Sequence, residues 1–276
     1  MAQKSILITG CSSGIGYAAA HGLRAAGWRV FAACRKAEDC ARLRAEGFDS
    51  PRIDYGDPDT IHAGLAEVLT ATGGTLDAVF NNGAFGIPGA VEDLPTDALR
   101  DIFEANLFGW HTLTRAVIPV MRAQGHGRIV QCSSVLGFVT MPWRGAYNST
   151  KFALEGLTQT LRVEMRGTPI HVISVQPGPI TSKIRLNSIP HFERWIDWEG
   201  SVRIDQYRKK LRKRLYEDSG PDTFELPPEA VVKKLRHALE APKPRPVYMV
   251  TTPTYIMAAL RRILPVRALD WVLSRG

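Results

Sequence analysis

Residues 4–16 read KSILITGCSSGIG, an apolar strand that runs directly into the start of a helix. In the turn between them, Gly10, Gly14 and Gly16 follow the spacing G-x-x-x-G-x-G. Glycine permits a tight turn whose backbone N–H groups can approach a phosphate at the positive end of a helix. Because a strand precedes this turn and a helix follows it, the pattern favours nucleotide binding over an ordinary turn.

The alternation of strand and helix continues along the chain. Strands that read as continuous apolar runs, with helices between them, are typical of a parallel sheet covered on both faces. The sequence therefore predicts an α/β protein with a doubly wound Rossmann fold, formed as one domain over residues 1–276. We predict seven parallel strands, at residues 4–9, 28–34, 52–55, 76–82, 127–134, 170–178 and 245–250.

Two segments interrupt this alternation. Residues 183–226 are polar and rich in aromatic side chains, and they follow the sixth predicted strand on the side where ligands bind in this fold. We predict that they form a helical lid over the substrate, because so long a connection is usually functional. Residues 253–276 are predicted to form a C-terminal amphipathic extension, in which Pro265 disfavours one straight helix.

The composition narrows the class of protein. With 276 residues, 45% of them hydrophobic, the chain can bury a core without disulfides or metal. The four cysteines show neither CxxC spacing nor a nearby His cluster, so we predict no metal site and free thiols suited to a reducing compartment. The first strand leaves no room for a signal peptide, and no apolar run reaches about 18 residues. We therefore expect a cytoplasmic protein.

The net charge of +8 is concentrated in part in RKKLRKR, from Arg208 to Arg214. Such a run is usually a solvated helix face. An anionic membrane surface or an acidic ligand is the alternative. Neither zinc-finger spacing nor an aromatic RNA-binding signature is present, so we do not expect a nucleic-acid partner.

The end of the second predicted strand bears on the choice of nucleotide. A fold of this kind that prefers NAD usually carries Asp or Glu there, as an acceptor for the ribose 2′-OH. This chain instead has Cys34, followed by Arg35 and Lys36. Two cations suit a 2′-phosphate and predict NADP(H), although they also suit a solvated helix start. Asp54, at the end of the third predicted strand, is placed to reach the adenine amino group.

A second informative stretch is GAYNSTKFALEGL, Gly145 to Leu157, which has the periodicity of an amphipathic helix. Tyr147 and Lys151 lie four residues apart and therefore share one face. This spacing alone does not distinguish a reactive pair from two polar residues on a helix. The residues predicted to face the core are Ala153, Leu154, Leu157 and Leu161.

Several motifs in order resemble the short-chain dehydrogenase/reductase family over residues 4–182. The family's Asn-Asn-Ala-Gly stretch corresponds to NNGAFG at 81–86, in which the small residues Gly83 and Ala84 are swapped. The family's serine precedes its tyrosine by thirteen residues, which selects Ser134 rather than Ser133. The other matching stretches are TGCSSGIG at 9–16, NLFG at 106–109, YNSTK at 147–151 and PGPITS at 177–182, which carries Ser182 in place of the usual threonine.

The resemblance implies a nicotinamide-dependent oxidoreductase that acts on an alcohol or a carbonyl group. Tyr147 would donate the proton that a developing alkoxide needs, and Lys151 would lower its pKa and hold the nicotinamide ribose. Ser134 would hydrogen-bond the substrate oxygen. Asn106 would hold a water that links Lys151 to solvent. Each residue alone has an ordinary structural explanation, but all four occur in the expected order on the expected elements.

The contacts to cofactor and substrate follow from the same motifs. Phe85, Phe138 and Trp143 are candidates for an apolar substrate cleft, although aromatic residues equally suit a core. Arg144 either meets a substrate carboxylate or faces water. The predicted NADP(H) contacts are Gly10, Ser12, Ser13, Gly14, Ile15, Gly16, Arg35, Lys36, Asp54, Asn82, Gly83, Tyr147, Lys151, Pro177, Gly178, Ile180 and Ser182.

Together these features predict an NADP(H)-dependent enzyme for a small apolar carbonyl or alcohol, such as a retinoid or a steroid, assembled as a homodimer or homotetramer. One alternative is an NAD(H)-preferring alcohol dehydrogenase of the same family. Another is a nucleotide-binding redox sensor without turnover. The basic run and the C-terminal extension also leave peripheral membrane contact open.

Overall fold

A computed structural model describes residues 3–217 and 220–274 of the chain. Three parts of the predicted ranges lie outside the described residues: positions 1–2 and 275–276 at the ends of the domain and the extension, and positions 218–219 within the predicted lid.

One parallel sheet lies at the centre of the fold. Its strands are β1 Ser5–Ile8, β2 Arg29–Ala32, β3 Ala78–Asn81, β4 Gly127–Cys132, β5 Ile170–Pro177 and β6 Val247–Val250. The spatial order is β2-β1-β3-β4-β5-β6, and every neighbouring pair is parallel. The predicted doubly wound α/β fold with a parallel sheet is confirmed.

The prediction of seven strands is wrong, because the third predicted strand, at residues 52–55, does not join the sheet. Arg52 makes only an isolated parallel bridge with Cys34, and Ile53 N donates to Cys34 O at 3.0 Å. Pairing ends there because Asp54 begins a turn, in which its carboxylate accepts a hydrogen bond from Gly56 N at 3.1 Å. A side chain that bonds the backbone two residues on competes with strand pairing. The sheet of the described residues therefore has six strands.

Helices surround the sheet. In the described residues they are α1 Gly14–Ala25, α2 Ala37–Ala45, α3 Pro58–Thr72, α4 Thr96–Phe103, α5 Gly109–Gln124, α6 Gly145–Glu164, α7 Ile184–Trp195, α8 Ile204–Gln206, α9 Arg212–Tyr216, α10 Glu229–Glu240, α11 Thr252–Ile263 and α12 Val266–Leu273. α1 packs against α10 and α3 against α5, in the two helical layers that a doubly wound sheet requires. α11 and α12 lie on either side of Pro265, whose ring cannot continue a helix.

The chain reverses its winding direction between β1 and β3. It passes from β1 to β2 on one side, and then returns to β3 on the other side of β1. At such a point a crevice forms outside the carboxyl ends of the strands, where ligands bind in open α/β sheets. The turns TGCSSGIG and NNGAFG follow β1 and β3, so both lie at this crevice.

Two apolar clusters pack the molecule. The larger lies between the sheet and its helices and includes the fully buried Leu7 and Phe31. The smaller joins α4, the start of α6 and the segment from α7 to α9 around Phe192 and Tyr207. Residues 184–216 are therefore anchored on a core of their own, beside the turn that follows β3.

One predicted core position of α6 is exposed. Leu154 is 3% exposed and packs in the larger cluster, whereas Leu157 is 46% exposed. Positions three apart differ by about 60° around a helix. Leu157 therefore lies beyond the edge of the buried stripe, and the prediction that it faces the core is wrong.

The described residues contain no helix long and apolar enough to cross a membrane. Within the same residues, no group of three or more His, Cys, Asp or Glu side chains could hold a metal ion. All four cysteines are free thiols buried in the fold.

Candidate active site

The turns after β1 and β3 touch at the crevice. Gly10 has a φ of +69°, and a Cβ at this position would lie 2.5 Å from Gly83 Cα. Thr9 Oγ1 accepts hydrogen bonds from Asn82 N at 2.9 Å and Gly83 N at 3.3 Å. Only glycine fits Gly10, because both the left-handed φ and the close backbone exclude a side chain. The two turns thus form one surface of exposed backbone.

The N-terminus of α1 is prepared for an anion. Its N-cap residue, Ser13, makes no side-chain cap hydrogen bond, so the first-turn N–H groups remain available. Ser182, from the turn after β5, lies against Gly14, where a Cβ would be 3.2 Å from the Ser182 Cβ. Three of the predicted cofactor stretches therefore meet around the start of this helix, in an arrangement that fits a dinucleotide.

Arg42 was not identified from the sequence. It lies on α2 and donates from Nη2 to the carbonyl oxygen of Ser12 at 2.8 Å, which fixes the glycine turn from outside. The same guanidinium pairs with Asp39 and Glu46. The i, i+3 and i, i+4 spacing of these charges is visible in the sequence, but the contact with Ser12 depends on the tertiary structure.

The predicted phosphate contacts line an open cleft at the end of β2. Arg35, Lys36, Arg52 and Asp54 all border it. Arg52, which the sequence analysis did not single out, donates from Nε to the Arg35 carbonyl oxygen at 3.1 Å. Lys36 also forms an exposed ion pair with Glu38 at 3.6 Å. Cations therefore outnumber carboxylates at this cleft, three to two.

Tyr147 and Lys151 lie together near the carboxyl end of β4. Lys151 is 1% exposed and donates from Nζ to Cys132 O at 2.8 Å. Its Nζ lies 5.5 Å from the centroid of the Tyr147 ring. The helix places both side chains on one face, and the end of β4 supplies the acceptor that directs the ammonium.

Burial governs the electrostatics of this pair. It raises the pKa of Tyr147 well above its usual range, with a further rise from Cys132, while a hydrogen bond with Ser134 and the charge of Arg144 lower that pKa. Burial also lowers the pKa of Lys151 to about 8. We expected Lys151 to lower the pKa of Tyr147. In the structure the contributions that lower this pKa come from Ser134 and Arg144, and the lowering by Lys151 stays a prediction.

The structure distinguishes the two neighbouring serines. Ser134 is partly exposed; its Oγ accepts from Leu136 N at 3.1 Å and lies 3.5 Å from Pro177 O. Ser133 is buried, and its hydroxyl has no hydrogen-bond partner in the described residues. Ser134 is therefore the serine that lies beside Tyr147, at the edge where β4 and β5 end.

Asn106 lies in a π-helical turn, Glu104–Phe108, between α4 and α5. Its side chain is fully buried and bonds both backbone groups of Phe85: Nδ2 donates to Phe85 O at 2.8 Å, and Oδ1 accepts from Phe85 N at 3.1 Å. π-Turns occur frequently at functional sites. Here the side-chain amide ties the helix to the turn after β3, one residue beyond NNGA.

Trp110 was also missed from the sequence. It is fully buried, donates from Nε1 to Gly83 O at 2.8 Å, and presents its ring to Lys151 Nζ at 4.2 Å. Its position four residues after Asn106, on the same helical face, is the only sequence signal for it.

The turn after β5 is held by β6 and by the segment predicted to form a lid. Gly178 N donates to Val250 O at 3.1 Å, and Thr251 packs where a Gly178 side chain would lie. Ile180 forms an isolated bridge with Leu226. These contacts fix the backbone on which Pro177 and Ser182 are carried.

The predicted substrate residues separate into two groups. Phe85 stacks on His191 of α7, with centroids 3.9 Å apart, and Trp143 packs edge-on against Tyr207 at 4.9 Å. Both belong to the smaller apolar cluster, whereas Phe138 is not among its members. Tyr207 is itself fully buried. Part of the aromatic set is therefore core, and the structure does not bring Phe138 into it.

Comparison with known proteins identifies the family. The sequence model described as short chain dehydrogenase matches residues 4–191. The uncharacterized oxidoreductase YbbO of Escherichia coli (strain K12) is 38% identical over 273 residues, which cover 99% of this chain and 94% of YbbO. The chain belongs to the short-chain dehydrogenase family. It is accordingly an oxidoreductase that acts on an alcohol or carbonyl group, as the motifs predicted.

Solved structures support the fold of this short-chain dehydrogenase. One from Burkholderia phymatum, in complex with NAD, has a TM-score of 0.77 at 23% identity and covers 94% of this chain and 92% of its own. Another from Burkholderia cenocepacia, in complex with NADP, has a TM-score of 0.75 at 20% identity, with coverage of 98% and 97%. Both likenesses are to the fold, and the nucleotides named belong to those two proteins.

Proposed function

We propose that this short-chain dehydrogenase interconverts an apolar ketone or aldehyde and its alcohol with NADP(H), and that Tyr147 is the general acid and base. The observation that carries the proposal is the convergence of Tyr147, Ser134 and Lys151 where β4 and β5 end. This edge of the sheet adjoins the crevice formed by the two glycine turns.

A bound nicotinamide supplies or accepts the hydride. In the reducing direction, Tyr147 donates its hydroxyl proton to the substrate oxygen as negative charge develops there. Ser134 hydrogen-bonds the same oxygen and stabilises that charge. Burial makes tyrosinate costly, and Ser134 and Arg144 offset part of this cost by lowering the pKa of Tyr147. In the oxidising direction the phenolate oxygen of Tyr147 accepts the proton of the alcohol.

Lys151 and Asn106 have supporting roles in this proposal. Lys151 directs one N–H to Cys132 O and keeps its other donors for the cofactor ribose. The side-chain amide of Asn106 is already engaged with Phe85. We therefore propose that Asn106 fixes the π-turn against the turn after β3, which we call the cofactor turn. This role is in addition to the water site predicted from the family.

The preference for NADP(H) rests on charge. Arg35, Lys36 and Arg52 border the cleft at the end of β2, where a 2′-phosphate would lie. Asp54 holds the backbone of Gly56 and borders the same cleft, in keeping with the adenine contact proposed for it. A carboxylate just beyond the end of β2 would favour NAD(H), and this chain has Cys34 there.

The apolar substrate is inferred from the residues that cover Tyr147. Phe85, Trp143 and Tyr147 all pack in the smaller apolar cluster. Phe192 and Tyr207 form its buried centre. We infer that α7 to α9 act as the substrate lid. Arg144 lies near Tyr147, and with its pKa lowered by burial to about 10 it is still charged at neutral pH, which suits a substrate with an anionic end.

The decisive experiment measures oxidation of NADPH and NADH with a panel of steroid, retinoid and aromatic carbonyls. Tyr147→Phe should lower kcat by about 10²- to 10⁴-fold, while NADPH still raises the melting temperature. Tyr255→Phe, which removes only an exposed hydrogen bond to Met249, is the control. Unchanged turnover in Tyr147→Phe contradicts the mechanism. A redox sensor without turnover would show cofactor binding and no reaction with any carbonyl.

We further propose a homo-oligomer built on α5 and α6. Leu157 and Val163 on α6 are 46% and 59% exposed, and Phe108 before α5 is also exposed. Apolar side chains grouped on neighbouring helices suit an interface. Sedimentation velocity should show a dimer or tetramer that dissociates in Leu157→Arg/Val163→Arg, and a monomeric wild type would exclude this interface.

Peripheral contact with an anionic membrane is proposed for the C-terminal extension. Ile263 and Val266 are 76% and 74% exposed beside the exposed Arg261, Arg262 and Arg267. Exposed apolar and basic side chains together suit an anionic interface. Co-sedimentation with vesicles of anionic lipid should fall in Ile263→Glu/Val266→Glu, and wild type that stays in the supernatant would remove the proposal.

A further inference from the structure

The ammonium of Lys151 lies over the face of Trp110. Nζ is 4.2 Å from the indole centroid, closer than the 5.5 Å that separates it from the Tyr147 ring. Both side chains are buried, at 0% and 1% exposure. A cation within about 6 Å of an indole face is attracted by the ring quadrupole, most strongly where water is excluded.

The indole takes the place of water for a buried charge. An ammonium has three donors, and the described residues accept one of them through Cys132 O at 2.8 Å. The titratable groups around it are Tyr147 and Glu155 on α6 and Cys132 on β4. Glu155 is engaged with Ser174 and Gln176 on β5, so it is not a direct partner of the ammonium. The Trp110 face is therefore the principal support besides Cys132 O.

The same indole is fixed from its other end. Trp110 Nε1 donates to Gly83 O at 2.8 Å, in the turn that touches Gly10. The neighbouring Gly109 packs directly on Tyr55, whose ring lies 5.9 Å from that of Trp110. An apolar side chain would fill this volume, but it would neither attract the ammonium nor bond Gly83.

We propose that Trp110 is a positioning residue for Lys151: its ring holds the ammonium by a cation–π contact, and its N–H ties that ring to the cofactor turn at Gly83. The contact keeps Lys151 charged where burial disfavours the charge. It also couples the place of the ammonium to that of the turn. The functional meaning rests on the proposed role of Lys151, whereas the contact itself does not.

The test is a titration of Lys151 by NMR in protein carrying labelled lysine, with the Lys151 signal assigned from Lys151→Met. In Trp110→Leu, loss of the contact should lower the pKa of Lys151 by about one, a tenfold change in acidity. Trp110→Phe keeps an aromatic ring with a weaker quadrupole, so the pKa of Lys151 in this variant should lie between its values in Trp110→Leu and in wild type. Trp28→Leu, at a second buried indole with Lys4 above it, is the control and should leave the Lys151 titration unchanged.

Fluorinated tryptophan keeps the test valid if Trp110→Leu does not fold. Fluorine withdraws charge from the ring face without changing its shape, so the pKa of Lys151 should fall stepwise as fluorines are added. Each step should also move the alkaline limit of turnover to lower pH. A Lys151 pKa that is the same in fluorinated and ordinary protein would overturn the inference. This readout requires no turnover, so it stands apart from the Tyr147→Phe experiment, whose failure would overturn the proposed reaction and not this contact.

Discussion

Asn106 and Phe85 are joined by two hydrogen bonds, from Asn106 Nδ2 to Phe85 O at 2.8 Å and from Phe85 N to Asn106 Oδ1 at 3.1 Å. The amide therefore acts like a strand partner for one residue of the turn after β3. It does so from a π-turn, which brings the start of α5 against the cofactor turn. Much of the site depends on this connection.

Removing the two hydrogen bonds between Asn106 and Phe85 should lower the free energy of unfolding. Asn106→Leu keeps the volume but leaves the N–H and C=O of Phe85 buried without partners, at about 1–3 kcal/mol for each group. Urea denaturation should therefore show a loss of roughly 2–6 kcal/mol in the free energy of unfolding. The matched control is Asn148→Leu, a buried asparagine with a single long hydrogen bond to Met141 O. An equal loss in both variants would contradict the role assigned to Asn106.

Alanine substitutions at Gly10 and Gly73 distinguish the cost of backbone strain from the cost of steric exclusion. Both have a left-handed φ, +69° and +68°, but a Cβ at Gly10 would meet Gly83, whereas at Gly73 it would meet nothing within 4 Å. Gly73→Ala should cost only the backbone strain of about 1–2 kcal/mol. Gly10→Ala should cost more and should abolish the thermal shift caused by NADPH. Equal behaviour of the two variants would exclude close approach of the turns.

Arg35 and Lys36 should set the preference between the two nucleotides. Replacing both with alanine removes charge-assisted contacts worth about 1.5–3 kcal/mol each and should weaken NADPH binding by 10-fold or more. Binding of NADH should change little, because it lacks the 2′-phosphate. Isothermal titration measures both, and Lys243→Ala, an exposed cation before β6, is the control. Equal weakening for both nucleotides would place the phosphate elsewhere.

The buried ammonium of Lys151 should lower the free energy of unfolding by an amount that depends on pH. Burial lowers the pKa of Lys151 from 10.5 to about 8, so the folded state disfavours its charge. Below pH 8 the cost is present in full, and it fades between pH 8 and 10.5 as the folded protein loses this proton before the unfolded chain does. Lys151→Met should therefore raise stability at pH 7 by roughly 2–3 kcal/mol, while abolishing turnover. A gain that is constant from pH 7 to 10.5 would contradict this account.

Tyr207 should hold the lid segment closed. Its hydroxyl donates to Asp93 Oδ2 at 2.8 Å and accepts from Ala90 N at 2.9 Å. Tyr207→Phe leaves Ala90 N buried without a partner, at about 1–3 kcal/mol. Hydrogen exchange should rise in residues 204–216, and KM for an apolar carbonyl should rise with it. Tyr216→Phe, which loses an exposed bond to Glu193, should alter neither quantity.

The sequence anticipated features that depend on local pattern. Apolar runs and helical periodicity identified the parallel α/β fold, because the side-chain period of each element is a property of the backbone. The same approach failed at residues 52–55, where the turn at Asp54 competes with pairing, and at Leu157, where the buried stripe is narrower than the apolar one. The exposure of Leu157 depends on neighbours that a local pattern does not contain, whereas the turn at Asp54 is local and competes with an equally local strand pattern.

By itself, then, the sequence determined the family, the winding of the sheet and the motif residues from Gly10 to Ser182, since each depends on residue type and spacing along the chain. Only the tertiary structure decided what surrounds them: Arg42 behind the glycine turn, Phe85 bonded by Asn106, and Trp110 beneath Lys151. The physical reason is that solvation is set in three dimensions. A buried ammonium or amide takes its partners from elements distant in sequence, and those partners decide its charge and its place.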